Sequence, residues 1–190
     1  MIEVSEIYET LQGETTRAGL PCIIVRLAGC GLRCSWCDTR EALGSGELLP
    51  VDDVISRVLA SPTPLIAVTG GEPLRQAETP LLTRRLLDAG RTVLVETNGV
   101  EDISPLDPRA VIIMDVKCPS SGEAGRTLTS NVARLKTSDE VKFVIATRED
   151  YDWAKAIIVR EELASRAIIL FSWAAAAPGT PAPKAADEAT

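Results

Sequence analysis

Three cysteines crowded into eight positions are the side chains of this sequence best suited to metal chemistry. Cys30, Cys34 and Cys37 have a C-x3-C-x2-C spacing directly after an apolar run, whereas Cys22 and Cys118 each stand alone. Three thiolates on one short loop can hold three corners of a cubane iron–sulfur cluster, which normally takes four thiolates. The spacing therefore predicts a cluster with one iron open to a small molecule. Such a cluster can take part in a reaction and does more than store an electron.

The main alternative from the residues alone is a structural zinc site. Such a site prefers four ligands, often from two C-x2-C pairs, and the chain contains no histidine to complete a set of three cysteines. The absence of histidine also excludes Ser/His/Asp, Cys/His and His-metal schemes, because the imidazole base or ligand does not exist. An iron–sulfur electron carrier and a zinc-stabilised binding module both remain open.

Size and charge indicate a small-molecule enzyme. With 190 residues, of which 45% are hydrophobic, the chain can bury one domain core. A formal net charge of -7 argues against an electrostatic surface for nucleic acid or anionic membrane. The first residues lack the basic flank and apolar core of a signal peptide, and no segment approaches the roughly 18 apolar residues of a membrane span. We therefore expect a cytoplasmic protein with no nucleic-acid or membrane partner.

Apolar runs alternate with amphipathic stretches along the chain. This pattern predicts a parallel sheet with right-handed crossovers. Several intervals are too short for a full helix, so we expect an α/β fold, an incomplete TIM-like barrel of about six mostly parallel strands with few helices. Residues 1–173 would form the core domain and 174–190 a disordered Ala/Pro-rich tail. The predicted strands are 22–28, 65–69, 92–97, 110–116, 140–146 and 167–171, and the predicted helices are 51–59, 80–89, 131–135 and 150–163.

Polar residues cluster where the predicted strands end, which in parallel α/β folds is the edge that binds ligands. Two glycines and a carboxylate at one such end would let a ligand approach the backbone and would pair with an ammonium group. Read alone, each cluster is a weak signal, and a tight turn, a capped strand end or an ion pair is the simpler interpretation. The three clusters are Thr69-Gly70-Gly71-Glu72-Pro73, Glu96-Thr97-Asn98-Gly99 and Asp115-Val116-Lys117.

Arg26 lies inside the first predicted strand, where an unpaired charge would be expensive to bury. It is either a structural salt bridge with an acidic neighbour or a bidentate clamp on a substrate carboxylate. With the second interpretation, Gln12 and Glu14 upstream are placed to read the hydrogen-bonding edge of a heterocycle. Thr39, after the last clustered cysteine, is by composition an N-cap or turn hydroxyl.

Three segments together resemble the radical S-adenosylmethionine superfamily and, within it, the 7-carboxy-7-deazaguanine synthase family. The cysteine spacing is shared by the superfamily, whereas the Gln-Gly-Glu segment and the Cys-Asp-Thr ending narrow the resemblance. The match extends over residues 1 to about 172. The carrying segments are Leu11-Gln12-Gly13-Glu14, 26–39 and Thr69-Gly70-Gly71-Glu72-Pro73-Leu74.

The resemblance implies a [4Fe-4S] cluster on Cys30, Cys34 and Cys37 whose fourth iron takes S-adenosylmethionine. It also implies Mg2+ on Thr39 and a lyase reaction that converts 6-carboxy-5,6,7,8-tetrahydropterin to 7-carboxy-7-deazaguanine in queuosine and 7-deazapurine biosynthesis. Cofactor-binding residues would be Trp36, Cys37, Asp38, Gly70, Gly71, Glu72, Asp115, Val116 and Lys117. Substrate-binding residues would be Leu11, Gln12, Gly13, Glu14, Arg26 and Thr69.

The resemblance further implies a homodimer and an electron donor such as flavodoxin or ferredoxin. Family members usually continue past the last strand with a basic and aromatic segment, whereas here Phe171-Ser172 pass directly into the Ala/Pro-rich stretch. The resemblance therefore implies no substrate contact from the C-terminus of this chain. A glycyl-radical-enzyme activase shares the cysteine spacing and the compact size, and it remains the alternative enzyme.

Overall fold

Eight strands form one continuous sheet in the computed structural model, which describes residues 1–174. The strands are β1 Ile2–Leu11, β2 Pro21–Leu27, β3 Glu47–Leu49, β4 Leu65–Gly70, β5 Thr92–Thr97, β6 Val111–Asp115, β7 Glu140–Ile145 and β8 Ile168–Trp173. Their order across the sheet is β3-β1-β2-β4-β5-β6-β7-β8. From β2 to β8 every neighbouring pair is parallel, whereas β1 pairs antiparallel with β2 and β3.

The expected count of about six strands was wrong by two, because β1 and β3 do not carry the pattern of a buried parallel strand. In β1 the register shifts between Val4 and Glu6. Ile2 and Val4 are buried in the core before this bulge and Ile7 packs against the same core after it, so the alternation breaks at the bulge. β3 is only three residues long. The predicted α/β class and the mostly parallel sheet match the structure.

The two faces of the sheet bury different sets of side chains. One face packs against α1 Val51–Leu59, α2 Thr79–Asp88 and α4 Arg148–Arg160 and forms the main hydrophobic core. The opposite face carries a smaller apolar cluster of Cys22, Ile24, Leu65, Ala67, Leu94, Val111 and Ile113. Since both faces of the parallel strands are buried, their sequences read as continuous apolar runs.

Helix bounds follow local signals with small offsets from the predictions. α1 matches residues 51–59, and α2 begins one residue before the predicted start. α4 begins at Arg148 because Thr147 and Asp150 form a reciprocal capping box. The predicted helix 131–135 is instead the single turn α3, Thr129–Val132. None of the helices within residues 1–174 combines the length and the hydrophobicity that crossing a bilayer demands.

The sheet curls, and the segment after β1 crosses its concave face. β7 stands five places from β1 in the sheet order. Nevertheless Thr16 Oγ1 donates to Glu140 on β7 at 2.6 Å, and Lys142 Nζ on the same strand lies 2.6 Å from a Glu14 carboxylate oxygen. A flat sheet with strands about 4.8 Å apart would hold these elements too far apart for such contacts. The curled sheet forms the incomplete barrel, and all but the first residue of the predicted tail lies outside the described residues.

Candidate active site

A cavity of about 390 Å³ opens on the concave face, where the parallel strands end. It gathers almost all of the residues predicted for the site, from the segment after β1 to the end of β6. Val116 and Glu72 are the two predicted residues that do not line it. Those that do are Leu11, Gln12, Gly13, Glu14, Arg26, Cys30, Cys34, Trp36, Cys37, Asp38, Thr39, Thr69, Gly70, Gly71, Asp115 and Lys117.

The three clustered thiols lie on the loop after β2, half-buried at the cavity. Hydrogen-bond donors already point at their sulfur atoms. The Leu32 N–H donates to Cys30 Sγ at 3.4 Å, and Asn98 Nδ2 lies 3.9 Å from the same sulfur. Thr39 Oγ1 stands 4.0 Å from Cys37 Sγ. Donors to thiolate sulfur stabilise and tune iron–sulfur clusters, so the donor set fits a cluster.

The three thiols do not form a ready-made site for a single metal ion. Within residues 1–174, no three His, Cys, Asp or Glu side chains converge closely enough to hold one metal ion. A tetrahedral zinc site requires such convergence, because every sulfur lies about 2.3 Å from the same metal. In a cubane each thiolate binds a different iron, and the sulfurs stay further apart. The two isolated cysteines, Cys22 and Cys118, are buried away from the three.

The cysteine loop is held by the turn that follows β6. The Ser35 N–H donates to the Ser121 carbonyl at 2.9 Å, and Ser35 Oγ donates to the Ser120 carbonyl at 2.6 Å. Trp36 Nε1 donates to Ser120 Oγ at 3.2 Å. Ser120 is in turn bound by the buried Asp150 at the start of α4. The strand that supplies Asp115 and the loop that supplies the thiols are therefore fixed to each other.

Gly70 and Gly71 let the end of β4 approach the start of the cysteine loop. Gly70 has φ +149°, and a Cβ there would collide with the Leu27 carbonyl oxygen. A Cβ on Gly71 would collide with the Gly29 carbonyl oxygen, and the Glu72 N–H donates to that oxygen at 2.8 Å. The glycines were expected to admit a ligand to the backbone; they line the cavity, and the space on their Cβ side is filled by protein.

Glu72 joins two strand ends beneath the cavity. It is 1% exposed, and its carboxylate accepts hydrogen bonds from the N–H groups of Leu74 and Asn98 at 3.0 and 2.7 Å and from Thr97 Oγ1 at 2.8 Å. Burial raises the pKa of Glu72, and these donors only partly offset it. These three donors use three of the roughly four acceptor positions of a carboxylate, so the predicted contact with an ammonium group stays a prediction.

Asp115 lies between two lysines. Lys142 Nζ stands 3.2 Å from one carboxylate oxygen, and Lys117 Nζ stands 3.0 Å from the other. Burial alone would raise the pKa of Asp115, but the two ammonium groups outweigh it and hold the pKa below its usual value. The Lys117 contact lies outside hydrogen-bond geometry, so within residues 1–174 Asp115 Oδ1 is buried without a hydrogen-bond donor. A buried oxygen of this kind is ready to accept from a ligand hydroxyl.

Arg26 is held rigidly at the cavity by β1. Its Nε donates to Glu6 Oε1 at 2.6 Å, and its Nη2 donates to the Tyr8 hydroxyl at 3.1 Å. Burial alone would lower the pKa of Arg26, but these partners outweigh it and raise the pKa. The salt bridge with an acidic neighbour is therefore present, and the side chain also lines the cavity, so the two interpretations of Arg26 are compatible.

Two polar residues from different elements meet at Glu96 on β5. Gln12 Nε2 donates to one carboxylate oxygen of Glu96 at 3.3 Å, and Thr69 Oγ1 donates to the other at 3.1 Å. Gln12 Oε1 accepts from the N–H groups of Gly13 and Glu14, which fixes the turn that carries them. The arrangement places several hydrogen-bonding side chains together at the cavity wall, which suits the polar edge of a heterocycle.

Thr39 occupies the N-cap position of a short 3-10 turn, Arg40–Leu43, but its hydroxyl makes no capping hydrogen bond. Its carbonyl accepts from the Ala42 N–H at 3.0 Å. The side chain lines the cavity beside the exposed Asp38. The hydroxyl is thus available to an oxygen-seeking cation such as Mg2+.

Several cavity residues were not assigned a role from the sequence. Tyr8, Asn98, Lys142 and Trp173 all line the cavity. Lys142 carries the same signal that identified Arg26, a charge inside an apolar strand. Tyr8 lies in β1, which the apolar pattern did not reveal, and Trp173 lies beyond the predicted end of the last strand. No local pattern distinguishes those two from surface aromatics.

Comparison with known proteins agrees with this site. The model of the radical SAM superfamily matches residues 24–112. A protein of Koribacter versatilis named 7-carboxy-7-deazaguanine synthase is 42% identical over 156 residues, covering 81% of this chain and 69% of that protein. A protein of the same name from Chlorobaculum tepidum is 40% identical over 173 residues, covering 90% and 79%.

The fold is shared with a crystal structure of QueE from Escherichia coli, with a TM-score of 0.71 and 19% identity. The similarity covers 90% of this chain and 93% of that one. It confirms the predicted incomplete barrel of the radical SAM type. The chain therefore belongs to the 7-carboxy-7-deazaguanine synthase family of the radical S-adenosylmethionine superfamily.

Proposed function

We propose that this protein converts 6-carboxy-5,6,7,8-tetrahydropterin to 7-carboxy-7-deazaguanine, with loss of ammonia, as a radical S-adenosylmethionine lyase of 7-deazapurine and queuosine biosynthesis. The observation that carries the proposal is one cavity that joins the three clustered thiols to the Gln12–Glu14 turn and Arg26. It is supported by relatives of that name at about 40% identity. A glycyl-radical-enzyme activase acts on a protein, so it would not need Gln12, Glu14 and Arg26 to line a cavity for a small heterocycle.

Cys30, Cys34 and Cys37 would hold the [4Fe-4S] cluster. When bound, the cluster would supply the electron that cleaves S-adenosylmethionine reductively. Residues of the surrounding loops and strand ends would hold that cofactor: Trp36, Asp38, Gly70, Gly71, Asp115 and Lys117. Among them, the buried Asp115 Oδ1 offers an acceptor for a ribose hydroxyl. Glu72, near the ammonium group of the cofactor, and Val116 would hold it as well, while they fix the strand ends through the Asn98 N–H that Glu72 accepts and the Val116 N–H donated to the Lys142 carbonyl.

The substrate would lie against Leu11, Gln12, Gly13, Glu14, Arg26 and Thr69. Arg26 would pair with its carboxylate, because a guanidinium orients a carboxylate through two parallel hydrogen bonds. Gln12 and Glu14 would read the polar edge of the pterin ring. A radical reaction needs close positioning and exclusion of water, and the curled sheet with its crossing segment would contribute to both.

The Thr39 hydroxyl would bind Mg2+, which would orient the substrate carboxylate. What supports this is the hydroxyl's position at the cavity and its lack of a capping hydrogen bond. The protein would function in the cytoplasm as a homodimer and would receive its electron from a donor such as flavodoxin or ferredoxin. The homodimer and the electron donor follow from the resemblance to the family, and the cytoplasmic location follows from the sequence features given above.

The proposal is tested by anaerobic reconstitution with ferrous ion and sulfide, followed by incubation with the carboxypterin, S-adenosylmethionine, Mg2+ and dithionite. Formation of 7-carboxy-7-deazaguanine together with 5′-deoxyadenosine is expected. 5′-Deoxyadenosine without the deazapurine would point to a different substrate, and the activase would then be the first alternative. A colourless product after reconstitution would favour a zinc module and refute the proposal.

A further inference from the structure

Lys142 is a buried cation that the site assignments above leave without a role. It lies in β7, and its side chain is 8% exposed and lines the cavity. Val141 and Phe143, its neighbours along the strand, point to the opposite face and pack in the main core. A lysine held in this way is expensive to bury unless its ammonium group is paired.

The two partners of Lys142 come from different halves of the site. Its Nζ is 2.6 Å from Glu14 Oε2, on the segment proposed to hold the substrate, and 3.2 Å from Asp115 Oδ2, on the strand end proposed to hold the cofactor. Burial alone would lower the pKa of Lys142, but these carboxylates outweigh it and raise the pKa. The side chain therefore carries its positive charge as it bridges the two segments.

The bridge continues to the cysteine loop. Asp115 is also 3.0 Å from Lys117 Nζ, and that ammonium lies 5.0 Å from the centre of the Trp36 ring, a cation–π contact. Trp36 lies between Cys34 and Cys37. An uninterrupted line of charged and π contacts thus runs from Glu14 through Lys142 to the loop of the thiols.

We propose that Lys142 is a positioning residue that couples the two binding events, so that the pterin tightens the binding of S-adenosylmethionine and the cofactor tightens that of the pterin. A ligand that donates hydrogen bonds to the Glu14 carboxylate weakens the grip of that carboxylate on Lys142. A buried ammonium group needs a carboxylate partner, so the Lys142 ammonium then moves closer to Asp115. This movement shifts Asp115, which lies on the strand end proposed to hold S-adenosylmethionine. Such coupling is reciprocal by thermodynamic necessity. The inference rests on the proposed function.

Glu140 provides a matched control. It lies two residues before Lys142 in β7 and holds the same crossing segment, through Thr16 Oγ1 at 2.6 Å and Arg17 Nη1 at 3.3 Å. Unlike Lys142, it does not line the cavity, and its ion pair is with Arg17, which is not part of the line of contacts from Glu14 to the cysteine loop. A variant at Glu140 therefore loosens the segment without breaking the bridge between the two halves.

The experiment measures the Kd for S-adenosylmethionine on the reconstituted full chain, without reductant, in the presence and absence of the carboxypterin. For the wild type we expect the pterin to lower this Kd about tenfold, within the usual range for coupled sites. Lys142→Met should remove most of this tightening and Lys142→Arg should restore part of it. Glu140→Gln should keep the tightening once the pterin is saturating.

The spectrum of the reduced cluster gives a second readout. Adding the pterin alone should shift the electron paramagnetic resonance signal of the wild type and of Glu140→Gln, but not that of Lys142→Met. Should Lys142→Met not fold, Glu14→Gln breaks the same bridge from a half-exposed side chain and is expected to lose the tightening too.

Three outcomes would overturn the inference: no tightening in the wild type, tightening that survives Lys142→Met, or equal loss in Glu140→Gln. The last would mean that Lys142 only fastens the segment. If a small molecule other than the pterin lowers the Kd of the wild type for S-adenosylmethionine, the proposed substrate is refuted and the coupling role of Lys142 stands. Absence of pterin binding altogether would refute both.

Discussion

Asp150, in the first turn of α4, accepts hydrogen bonds from both the N–H and the hydroxyl of Ser120, at 2.9 and 2.6 Å. The same carboxylate accepts the N–H groups of Ala146 and Thr147. Ser120 in turn accepts from Trp36 Nε1 and supports Ser35 of the cysteine loop. A helix N-terminus that does not line the cavity thus helps to set the position of the proposed cluster ligands.

Replacing this carboxylate should loosen the cysteine loop. In Asp150→Asn an amide N–H₂ group replaces one carboxylate oxygen, so some of the N–H and O–H groups that now donate to Asp150 lose their acceptor. Each buried donor left unpaired costs about 1–3 kcal/mol. We expect a lower free energy of unfolding in urea and faster loss of the 4Fe-4S absorbance in air. Asp152→Asn, on the exposed side of the same helix, is the control and should change neither. Unchanged cluster lifetime in Asp150→Asn would contradict this positioning role.

The same residue predicts a pH dependence. Burial alone would raise the pKa of Asp150, but the donors from Ser120, Ala146 and Thr147 outweigh it and lower the pKa in the folded state. A carboxyl with a depressed pKa stabilises the fold fully above its unfolded pKa, about 3.9, and loses this contribution as pH falls through the folded pKa. The difference in unfolding free energy between wild type and Asp150→Asn should therefore shrink below about pH 4, as measured by urea titrations.

Gly71 offers a test of how tightly β4 packs on the cysteine loop. A Cβ at this position would collide with the Gly29 carbonyl oxygen, so Gly71→Ala should displace one of the two chains and cost about 1–3 kcal/mol as overpacking does. Because Gly29 precedes Cys30, we also expect lower iron content after reconstitution.

Gly90→Ala is the matched control for this substitution. Gly90 has φ +80° but open space around its Cβ position, so the variant suffers backbone strain of roughly 1 kcal/mol without a collision near the site. It should keep full iron content. If Gly71→Ala reconstitutes as completely as Gly90→Ala, the close packing of β4 on the loop is not what holds the thiols in place.

The parallel strands were predictable because burial on both faces leaves a continuous apolar run. The six predicted runs all coincide with strands, and Thr92–Thr97 has the predicted bounds. β1 escaped prediction because the register shift between Val4 and Glu6 reverses which residues point inward. A bulge is set by pairing with a neighbouring strand, and a single-sequence periodicity does not contain that information.

For the site, spacing identified the side chains and the fold decided which of them reach the cavity. The cysteine triplet, Arg26 and the strand ends were recognisable from residue type and position. Glu72 shares its motif with cavity residues, yet its carboxylate turns beneath the cavity to bind the N–H groups of Leu74 and Asn98. The direction of the Glu72 side chain depends in part on donors at the end of β5, Thr97 and Asn98, which are distant in sequence.

Thr39 tests the proposed Mg2+ site. Thr39→Val keeps the shape of the side chain and removes its oxygen, so the Mg2+ concentration for half-maximal turnover should rise. We expect a rise of at least about tenfold, because removing even an outer-shell partner lowers metal affinity by about that factor. Thr39→Ser retains the hydroxyl and should remain close to wild type. Equal Mg2+ dependence of Thr39→Val and wild type would exclude this hydroxyl as a ligand.

Arg26 tests the proposed contact with the substrate carboxylate. Arg26→Lys keeps the positive charge but loses the planar fork that binds a carboxylate through two N–H groups. Hydrogen bonds to charged groups contribute about 1.5–3 kcal/mol, so the KM for the carboxypterin should rise about tenfold or more. The KM for S-adenosylmethionine should change far less, because Arg26 lies with the substrate-holding residues.

A matched variant separates this contact from the support that β1 gives to Arg26. Glu6→Gln leaves a carbonyl oxygen to accept from Arg26 Nε, now 2.6 Å from Glu6 Oε1, and so should keep the guanidinium in place. Its KM for the carboxypterin should stay within about twofold of wild type, the loss of one surface ion pair being small. The contact is refuted if Arg26→Lys leaves the pterin KM unchanged, or raises both KM values equally. Neither substitution should change the iron content or the cleavage of S-adenosylmethionine in the absence of the pterin. The measurement therefore tests the substrate half of the cavity separately from the cluster half.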